Sequence, residues 1–298
     1  MFLCRFDDNR LGLVEKRPLE NHSGGDAIIR DVTAALKDLP SYQYPFPMGD
    51  PLITALPALC ERIRSSSSAS SLAVSKVRLL SPVANPGKVI GAPVNYQKHL
   101  DEVVKDPHLH QQNKSHTLPI HEIGFFLKAT SSVIGPSEEV VIRHADRRTD
   151  HEVELVAIIG KRANRVSKEN ALDFVAGYCI GLDITVRGPE DRSLRKSVDT
   201  YTVLGPWLAT REEIEEPSNL DLSISVNGEV KQKSNTRHMI MNVPELIEFA
   251  SSFYTLYPGD VLMTGTPDGV GPIVPGDVLR ASIKGIGEMV VHVQNASE

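Results

Sequence analysis

Residues 151–160 constrain the fold of this chain more than any other segment. The segment reads His-Glu-Val-Glu-Leu-Val-Ala-Ile-Ile-Gly, in which two acids two positions apart are followed by a nearly continuous apolar run. Side chains of a β-strand alternate between its faces, so Glu152 and Glu154 point to the same side. A strand that is apolar on both faces has to be covered on both. The segment therefore predicts a buried strand with two carboxylates at the margin of the core.

A second apolar segment carries one more acid. Asp183 lies within residues 178–186, which again read as a buried strand. Burying unpaired carboxylates is unfavourable, so a cation is expected between the acids. Oxygen ligands without Cys or His favour Mg²⁺ first, then Mn²⁺ or Ca²⁺. The alternative interpretation is a solvated strand face bearing Glu152 and Glu154, with Asp183 in a capped turn.

Short strand-like segments dominate the chain. They occupy residues 2–6, 11–15, 88–91, 124–128, 140–143, 153–160, 177–186, 220–226, 261–264, 278–283 and 289–293, whereas helical patterns occupy 96–104, 167–175 and 244–253. Asn227-Gly228 between two such segments is typical of a type I′ hairpin. These patterns predict an α+β, β-rich fold.

A serine-rich stretch at residues 65–71 divides the chain. Such a stretch is typical of a surface link near a domain boundary. We therefore expect a small N-terminal domain, residues 1–75, and a metal-dependent catalytic domain, residues 85–298.

Composition narrows the class of protein. The net charge is -6 without a long run of either sign, so nucleic acid is not expected as a partner. Three cysteines without a Cys-x-x-Cys pair favour a reducing compartment, the cytoplasm. No signal-peptide pattern and no apolar stretch of about 20 residues occurs, so neither secretion nor membrane insertion is expected.

One predicted helix, residues 96–104, carries a second candidate group. His99 and Glu102 are three positions apart and so lie on one helical face. A carboxylate beside an imidazole fixes its tautomer and raises its basicity, which suits a general base acting on water. The alternative is an ordinary amphipathic surface helix.

Cations and a glycine-rich loop complete the candidates. Lys128, Arg187 and Lys196 could each hold an anionic substrate, or could each be structural. Residues 264–271, which include Thr266, could approach a bound anion through their backbone. They lack the Gly-Lys-Ser/Thr ending of a phosphate-binding P-loop, and a plain turn is the alternative.

Taken together, these segments resemble the fumarylacetoacetate hydrolase family over about residues 88–293. The matching pieces, in the family's order, are Asn95-Tyr96 with His99 and Glu102; Phe125-Phe126-Leu127-Lys128 before Ile134-Gly135-Pro136; His151-Glu152-Val153-Glu154-Leu155; Asp183 with Arg187; Lys196-Ser197; Leu204-Gly205-Pro206-Trp207; Val226-Asn227-Gly228; and Pro258-Gly259-Asp260-Val261 before Thr264-Gly265-Thr266-Pro267. Several short motifs in one order are far more specific than any one of them.

The resemblance implies a mixed β-roll catalytic domain, a homodimer, and Mg²⁺ or Mn²⁺ held by Glu152, Glu154 and Asp183. It also implies roles for the other candidates, in which the His-Glu pair lies on a lid that orders when substrate binds. These roles are water activation by His99 oriented by Glu102, enolate stabilisation by Lys196, and substrate-oxygen binding by Arg187, Lys128 and Thr266.

The reaction that the resemblance implies is hydrolysis of a C–C bond in a small 2,4-dioxo acid of aromatic catabolism. The substrate would be an acylpyruvate or resemble fumarylacetoacetate, and would react through a metal-chelated enolate. Two other reactions of the family remain open: decarboxylation of an oxo acid and isomerisation of the 2-hydroxyhepta-2,4-diene-1,7-dioate type. A metal-binding module without enzymatic activity is the alternative outside enzymes.

The sequence departs from the family pattern at two places. Many members have Arg-Asp followed by Gln where this chain has Arg187-Gly188-Pro189-Glu190, so Glu190 is expected to change the contacts at the far end of the substrate. The polar segment 105–122 is longer than in compact members, which predicts an extended lid.

Overall fold

The computed structural model describes residues 1–16, 27–65, 70–110 and 117–296. Residues 111–116 of the expected lid and residues 66–69 of the serine-rich stretch lie outside these ranges. Within the described ranges the chain forms twenty β-strands and seven α-helices, together with short 3₁₀ turns. The β-rich α+β class predicted from the sequence is confirmed.

Most strands are short. Each strand-like segment predicted from the sequence overlaps one, but the long strand Thr202–Thr210 was not predicted. The strands are β1 (Phe2–Phe6), β2 (Arg10–Lys16), β3 (Ile28–Asp31), β4 (Ser71–Ala73), β5 (Leu79–Leu80), β6 (Val89–Gly91), β7 (Phe126–Lys128), β8 (Val133–Ile134), β9 (Val140–Ile142), β10 (Thr149–His151), β11 (Val153–Ile159), β12 (Val175–Asp183), β13 (Thr185–Val186), β14 (Thr202–Thr210), β15 (Asp221–Val226), β16 (Glu229–Asn235), β17 (Val261–Met263), β18 (Gly271–Pro272), β19 (Val278–Ile283) and β20 (Gly287–Asn295).

The helices are fewer and mostly short. They are α1 (Pro51–Thr54), α2 (Leu56–Ser65), α3 (Gln97–Lys105), α4 (Pro107–His110), α5 (Ile120–Ile123), α6 (Arg192–Lys196) and α7 (Val243–Phe253). A capping box begins α7: the Asn242 side chain accepts from the Glu245 backbone N–H, and the Glu245 carboxylate accepts from that of Asn242. The helices predicted at 96–104 and 244–253 are confirmed as α3 and α7.

The helix predicted at residues 167–175 is wrong. Only Ala171–Phe174 form a 3₁₀ turn, and Val175 already belongs to β12. Asn170 and Asp173 are poor helix formers because their side chains compete for backbone hydrogen bonds. The β-branched Val175 suits the strand that follows.

The largest sheet contains twelve strands and includes the N-terminal ones. Its order is β4-β3-β2-β1-β14-β12-β11-β17-β6-β7, with β5 paired to β1 and β8 paired to β14. The antiparallel pair of β1 and β14 therefore extends the sheet that carries the acidic strand. The division into residues 1–75 and 85–298 stays a prediction, because strand pairing does not define which parts fold independently.

The acidic strand β11 lies at the centre of this sheet, between β12 and β17. All of its residues are buried. Val153 and Leu155 pack into the larger of two apolar clusters, whereas Val156 and Ile158 pack into the second cluster on the opposite face. This two-sided burial explains the nearly continuous apolar run in the sequence.

Two smaller sheets complete the fold. One is five-stranded, in the order β16-β15-β19-β20-β9, and the other is three-stranded, in the order β13-β10-β18. The Asn227-Gly228 turn joins β15 to β16, and both of its residues have positive φ, at 52° and 85°. The predicted hairpin is therefore confirmed. In the described part of the chain, no helix combines the length and apolar character that crossing a bilayer requires.

Candidate metal centre and active site

The three predicted metal ligands come together where β11 begins and β12 ends. The two strands are antiparallel, with Val153 opposite Leu182, so Asp183 arrives beside the Glu-Val-Glu segment. The Asp183 backbone N–H donates to the Glu152 carbonyl at 2.9 Å, which fixes this arrangement. One carboxylate oxygen from each of Glu152, Glu154 and Asp183 lies within 4.8 Å of the others, and all three residues are buried.

Three cations surround this cluster. The Lys196 ammonium donates to Glu152 Oε2 at 2.7 Å and to Asp183 Oδ2 at 2.6 Å. The Arg187 guanidinium donates to Glu152 Oε1 at 3.1 Å. Lys128 forms an ion pair with the other oxygen of Asp183. Glu152 and Asp183 are thus each bonded to cations.

Glu154 is the carboxylate without such compensation. Among the described residues, only the backbone N–H of Gly265 donates to it, at 2.7 Å. Burial raises the pKa of Glu154 well above its usual value, and the neighbouring Asp183 adds to the shift. Burial would also raise the pKa of Glu152, but Lys196 and Arg187 outweigh it and hold that pKa below its usual value.

The cluster fits a divalent metal ion. Its donors are oxygen atoms only, which is the preference of hard divalent cations. The positive charge of a metal ion would compensate the Glu154 carboxylate, whose charge the surrounding cations leave unbalanced. Three ligands also leave coordination positions for water and substrate.

Gly265 is required by the backbone beside Glu154. Its φ is +93°, in the region that favours glycine, and a Cβ there would lie 2.7 Å from that of Asn95. The N–H that reaches Glu154 therefore depends on a position that only glycine fills without strain. This gives the Gly-rich loop a definite role in the site.

The predicted His-Glu pair lies on α3, which packs against the loop after β17. His99 Nδ1 lies 2.8 Å from Glu102 Oε2, and the Gly269 backbone N–H donates to Glu102 Oε1 at 3.1 Å. His99 is buried, so the helix does not form an ordinary solvated face. The imidazole is held by a carboxylate that is itself anchored.

A cleft of about 450 Å³ connects these groups. Seven of the nine predicted site residues line it: His99, Glu152, Glu154, Asp183, Arg187, Lys196 and Thr266. Glu102 reaches the cleft through His99. The structure thus collects candidates that are up to 167 positions apart in sequence, as with Glu102 and Gly269.

Lys128 lies behind Asp183, and it is not among the described residues that line the cleft. Its side chain is fully buried, and its ammonium also donates to the Tyr201 carbonyl at 2.8 Å. Thr266 does line the cleft, and its hydroxyl donates to the Val153 carbonyl at 2.9 Å. The predicted role of Lys128 as a substrate ligand stays a prediction that its position does not favour.

Glu190 was expected to change contacts with the substrate, but it is not among the described residues that line the cleft. Its carboxylate forms a two-pronged pair with the Arg147 guanidinium, at 3.1 and 2.8 Å. Arg147 also donates to the Arg187 carbonyl at 2.8 Å. Glu190 therefore braces the backbone that carries Arg187.

Sequence reasoning missed several residues that support the site. Thr185 accepts from Lys196 at 2.7 Å, and Asp150 accepts from Arg187 at 2.8 Å. Thr185 follows Asp183 by two positions, and this spacing could have revealed that both share a strand face. Asp150 precedes the acidic segment by two positions and offers the same signal. Arg192 and Arg195 also line the cleft and were not singled out.

Gln232 on β16 is the least expected of these supports. Its Oε1 accepts from the Val153 backbone N–H at 3.0 Å, and its Nε2 donates to Thr266 Oγ1 at 2.9 Å and to the Pro267 carbonyl at 2.7 Å. It is fully buried in a strand that is otherwise largely exposed and polar. The Gln232 side-chain amide thus links the acidic strand β11 to the loop that contains Thr266 by hydrogen bonds.

Replacing Gln232 with leucine should lower the free energy of unfolding by about 1–3 kcal/mol, because buried backbone groups lose their partners. Chemical denaturation of the metal-free protein measures the change. Gln294, exposed on β20, provides the matched control, and Gln294→Leu should leave stability nearly unchanged. Equal effects of the two substitutions would contradict this role.

Comparison with protein-family models gives one match that covers most of the chain. A model described as fumarylacetoacetate (FAA) hydrolase C-terminal matches residues 88–294. The matched range contains every element that lines the cleft.

Individual proteins match over the full length. A maleylpyruvate hydrolase of Aquipseudomonas alcaligenes is 54% identical over 296 residues, covering 99% of this chain and all of that protein. The crystal structure of maleylpyruvate hydrolase from Sphingobium sp. SYK-6 with manganese(II) and pyruvate matches with a TM-score of 0.81 and 37% identity, covering all of both chains. A 5-carboxymethyl-2-hydroxymuconate delta-isomerase from Mycobacterium smegmatis matches with a TM-score of 0.70 and 30% identity, covering 99% of this chain and all of that one.

Proposed function

Since this chain belongs to the fumarylacetoacetate hydrolase family, we propose that it is a metal-dependent hydrolase that cleaves a C–C bond in a small 2,4-dioxo acid of the acylpyruvate type. The observation that carries this proposal is the cleft in which three buried carboxylates face an anchored His-Glu pair. The similarity to two maleylpyruvate hydrolases, one with manganese and pyruvate bound, supports the same class of substrate.

Glu152, Glu154 and Asp183 would hold the metal, either Mn²⁺ or Mg²⁺. When bound, it supplies a Lewis acid and a template for the 2-oxo acid end of the substrate. Lys128 pairs with Asp183 from behind and so keeps this carboxylate aimed at the cleft. Thr185 and Arg187 do the same for Glu152 through hydrogen bonds of 3.2 and 3.1 Å.

His99 acts as the general base. Its Nδ1 is engaged by Glu102, so the neutral imidazole carries its proton on Nδ1 and leaves Nε2 to accept one from water. That water adds to the carbonyl carbon of the acyl arm, and the bond between this carbon and the adjacent methylene breaks. The products are the free acid of the acyl arm and the enolate of pyruvate, which takes up a proton.

Lys196 stabilises the negative charge that develops on the enolate. Its ammonium already bridges Glu152 and Asp183, so the charge is placed beside the oxo-acid end before reaction. Arg187 lines the same end and binds a substrate oxygen with the part of its guanidinium that does not hold Asp150 and Glu152. Thr266 lines the same cleft, and its role as a substrate ligand stays a prediction, because its hydroxyl proton is donated to the Val153 carbonyl.

Decarboxylation and isomerisation are the alternatives on this site, and an isomerase is among the similar structures. Neither reaction needs a general base that activates water. The His99–Glu102 pair, docked against Gly269, therefore favours hydrolysis. The homodimer implied by the family resemblance and the cytoplasmic location favoured by the cysteine content stay predictions, and the mass in solution would test the former.

We expect the metal-loaded protein to hydrolyse maleylpyruvate and simpler acylpyruvates, and removal of metal by a chelator to abolish the activity. The assay follows loss of the dioxo acid and formation of pyruvate with Mn²⁺ and with Mg²⁺. Oxaloacetate and an unsaturated hydroxy diacid serve as comparison substrates for decarboxylation and isomerisation. Turnover of these alone, without acylpyruvate hydrolysis, would contradict the proposed reaction.

A further inference from the structure

Arg192 lines the cleft from α6, the same short helix that carries Lys196. Residues four positions apart lie on one face of a helix, separated along its axis by about 6 Å. Lys196 contacts the metal-ligand carboxylates, and Arg192 lies one helical turn away from Lys196. The helix thus brings a second, separate cation into the same cleft.

The other two arginines of the cleft already have acceptors. Arg187 donates to Asp150 and Glu152. Arg195 donates to the Glu190 carbonyl at 2.8 Å and to the Val186 carbonyl at 3.4 Å. Both guanidinium groups are therefore held in part by the protein's own groups, at the end of the cleft where Arg187 meets the metal-ligand carboxylate Glu152.

Arg192 differs, because its guanidinium has no hydrogen-bond acceptor or ion-pair partner among the described residues. The nearby Asp191 instead accepts from the Ser193 backbone N–H at 2.8 Å as the N-cap of α6. Burial lowers the pKa of Arg192 to about 10, and repulsion from Arg195 adds to the shift. A half-buried cation without a partner favours an anionic ligand.

Part of the cleft wall is apolar. Val103 and Leu109 pack with Val270 into a small cluster, and Phe126 lines the cleft beside Lys196. A ligand that fits this arrangement carries an anionic oxo-acid group at one end, a short hydrocarbon arm, and a second anionic group at the other end.

We propose that Arg192 is the specificity-determining residue that binds a second, terminal carboxylate on the acyl arm of the substrate. The substrate is then a 2,4-dioxo diacid, and acylpyruvates with a neutral arm bind more weakly. This inference rests on the proposed function for the oxo-acid end, and it adds the residue and the charge that select the far end.

The test uses binding and not turnover, so that it is separate from the reaction itself. Isothermal calorimetry in the presence of Mn²⁺ compares 2-oxoheptanedioate with 2-oxoheptanoate, which differ only in the terminal carboxylate. We expect the wild-type protein to bind the diacid about tenfold more tightly or better, the usual effect of a hydrogen bond to a charged group.

In Arg192→Met this ratio should fall to about one, and Arg192→Lys should restore part of it because the charge returns. Arg143→Met is the matched control, since it removes an arginine whose partner is the exposed Asp199, and the ratio should persist. A wild-type ratio near one, or an undiminished ratio in Arg192→Met, overturns the inference alone. Binding of neither oxo acid contradicts both this inference and the proposed function.

Discussion

Replacing Glu154 with glutamine should lower metal affinity more than about 100-fold and abolish turnover at moderate metal concentration. Changing residues that merely support metal ligands costs about 10–100-fold in affinity or activity, so losing a ligand charge costs more. Glutamine keeps the shape and can still accept the Gly265 N–H, so the backbone arrangement is preserved. Calorimetric titration with Mn²⁺ measures the affinity.

The same substitution should not destabilise the metal-free protein. Glu154 is a buried carboxylate that burial and Asp183 disfavour in its charged form, so a neutral amide removes an unfavourable charge. We expect Glu154→Gln to unfold at the same or a higher temperature without metal. The metal-induced increase in unfolding temperature, which follows mass action in the wild type, should disappear.

Asp260 provides the matched control for a buried carboxylate. It is fully buried and accepts from the Lys88 backbone N–H at 2.8 Å and the Tyr257 backbone N–H at 2.8 Å, outside the metal centre. Asp260→Asn should lower the stability of the metal-free protein and leave its Mn²⁺ affinity unchanged. This is the opposite of the pattern expected for Glu154→Gln. If Glu154→Gln binds Mn²⁺ as the wild type does, the metal centre is assigned incorrectly.

The cluster of three carboxylates could be predicted from the sequence because its signal is local. Glu152 and Glu154 share a strand face by period-two spacing, and the apolar run behind them requires burial. Placing Asp183 in the same cluster required one further inference, that the two buried strands lie side by side. The spacing alone favoured a solvated strand face, and the ordered family motifs reversed that interpretation.

The rest of the site depends on tertiary pairing that no local pattern specifies. Gln232 bonds to the acidic strand only because the β15–β16 hairpin brings β16 close to Val153. The sequence of β16 is otherwise that of an exposed, polar strand. Lys128 and Arg187 were equivalent as isolated cations. Only the fold distinguishes a lysine buried behind Asp183 from an arginine that faces the cleft.

The short helix α6 illustrates the same limit. Its five residues are too few for a helical period to emerge, yet they place Arg192, Arg195 and Lys196 along one face of the cleft. The sequence offered Lys196 as one of three candidate cations, and the family resemblance alone gave it a specific role. The arginines of this helix became candidates only when their positions and hydrogen-bond partners could be compared.

Replacing His99 with alanine should lower the rate of acylpyruvate hydrolysis by about 10²–10⁴-fold, the range that a positioned general base contributes. Metal affinity should persist, because His99 is not among the three carboxylates of the cluster. Affinity for a simple 2-oxo acid should persist too. Single-turnover measurements with saturating Mn²⁺ separate the hydrolytic step from binding.

Glu102→Gln refines the test, because it changes the tautomer of His99 and not its presence. An amide nitrogen placed beside Nδ1 can donate to it, which moves the imidazole proton to Nε2 and removes the acceptor needed for water. The hydrolytic rate should therefore fall although His99 remains in place. Lys98→Met, on the solvent-exposed side of the same helix, is the matched control and should retain the wild-type rate. A wild-type hydrolytic rate in His99→Ala would exclude His99 as the general base.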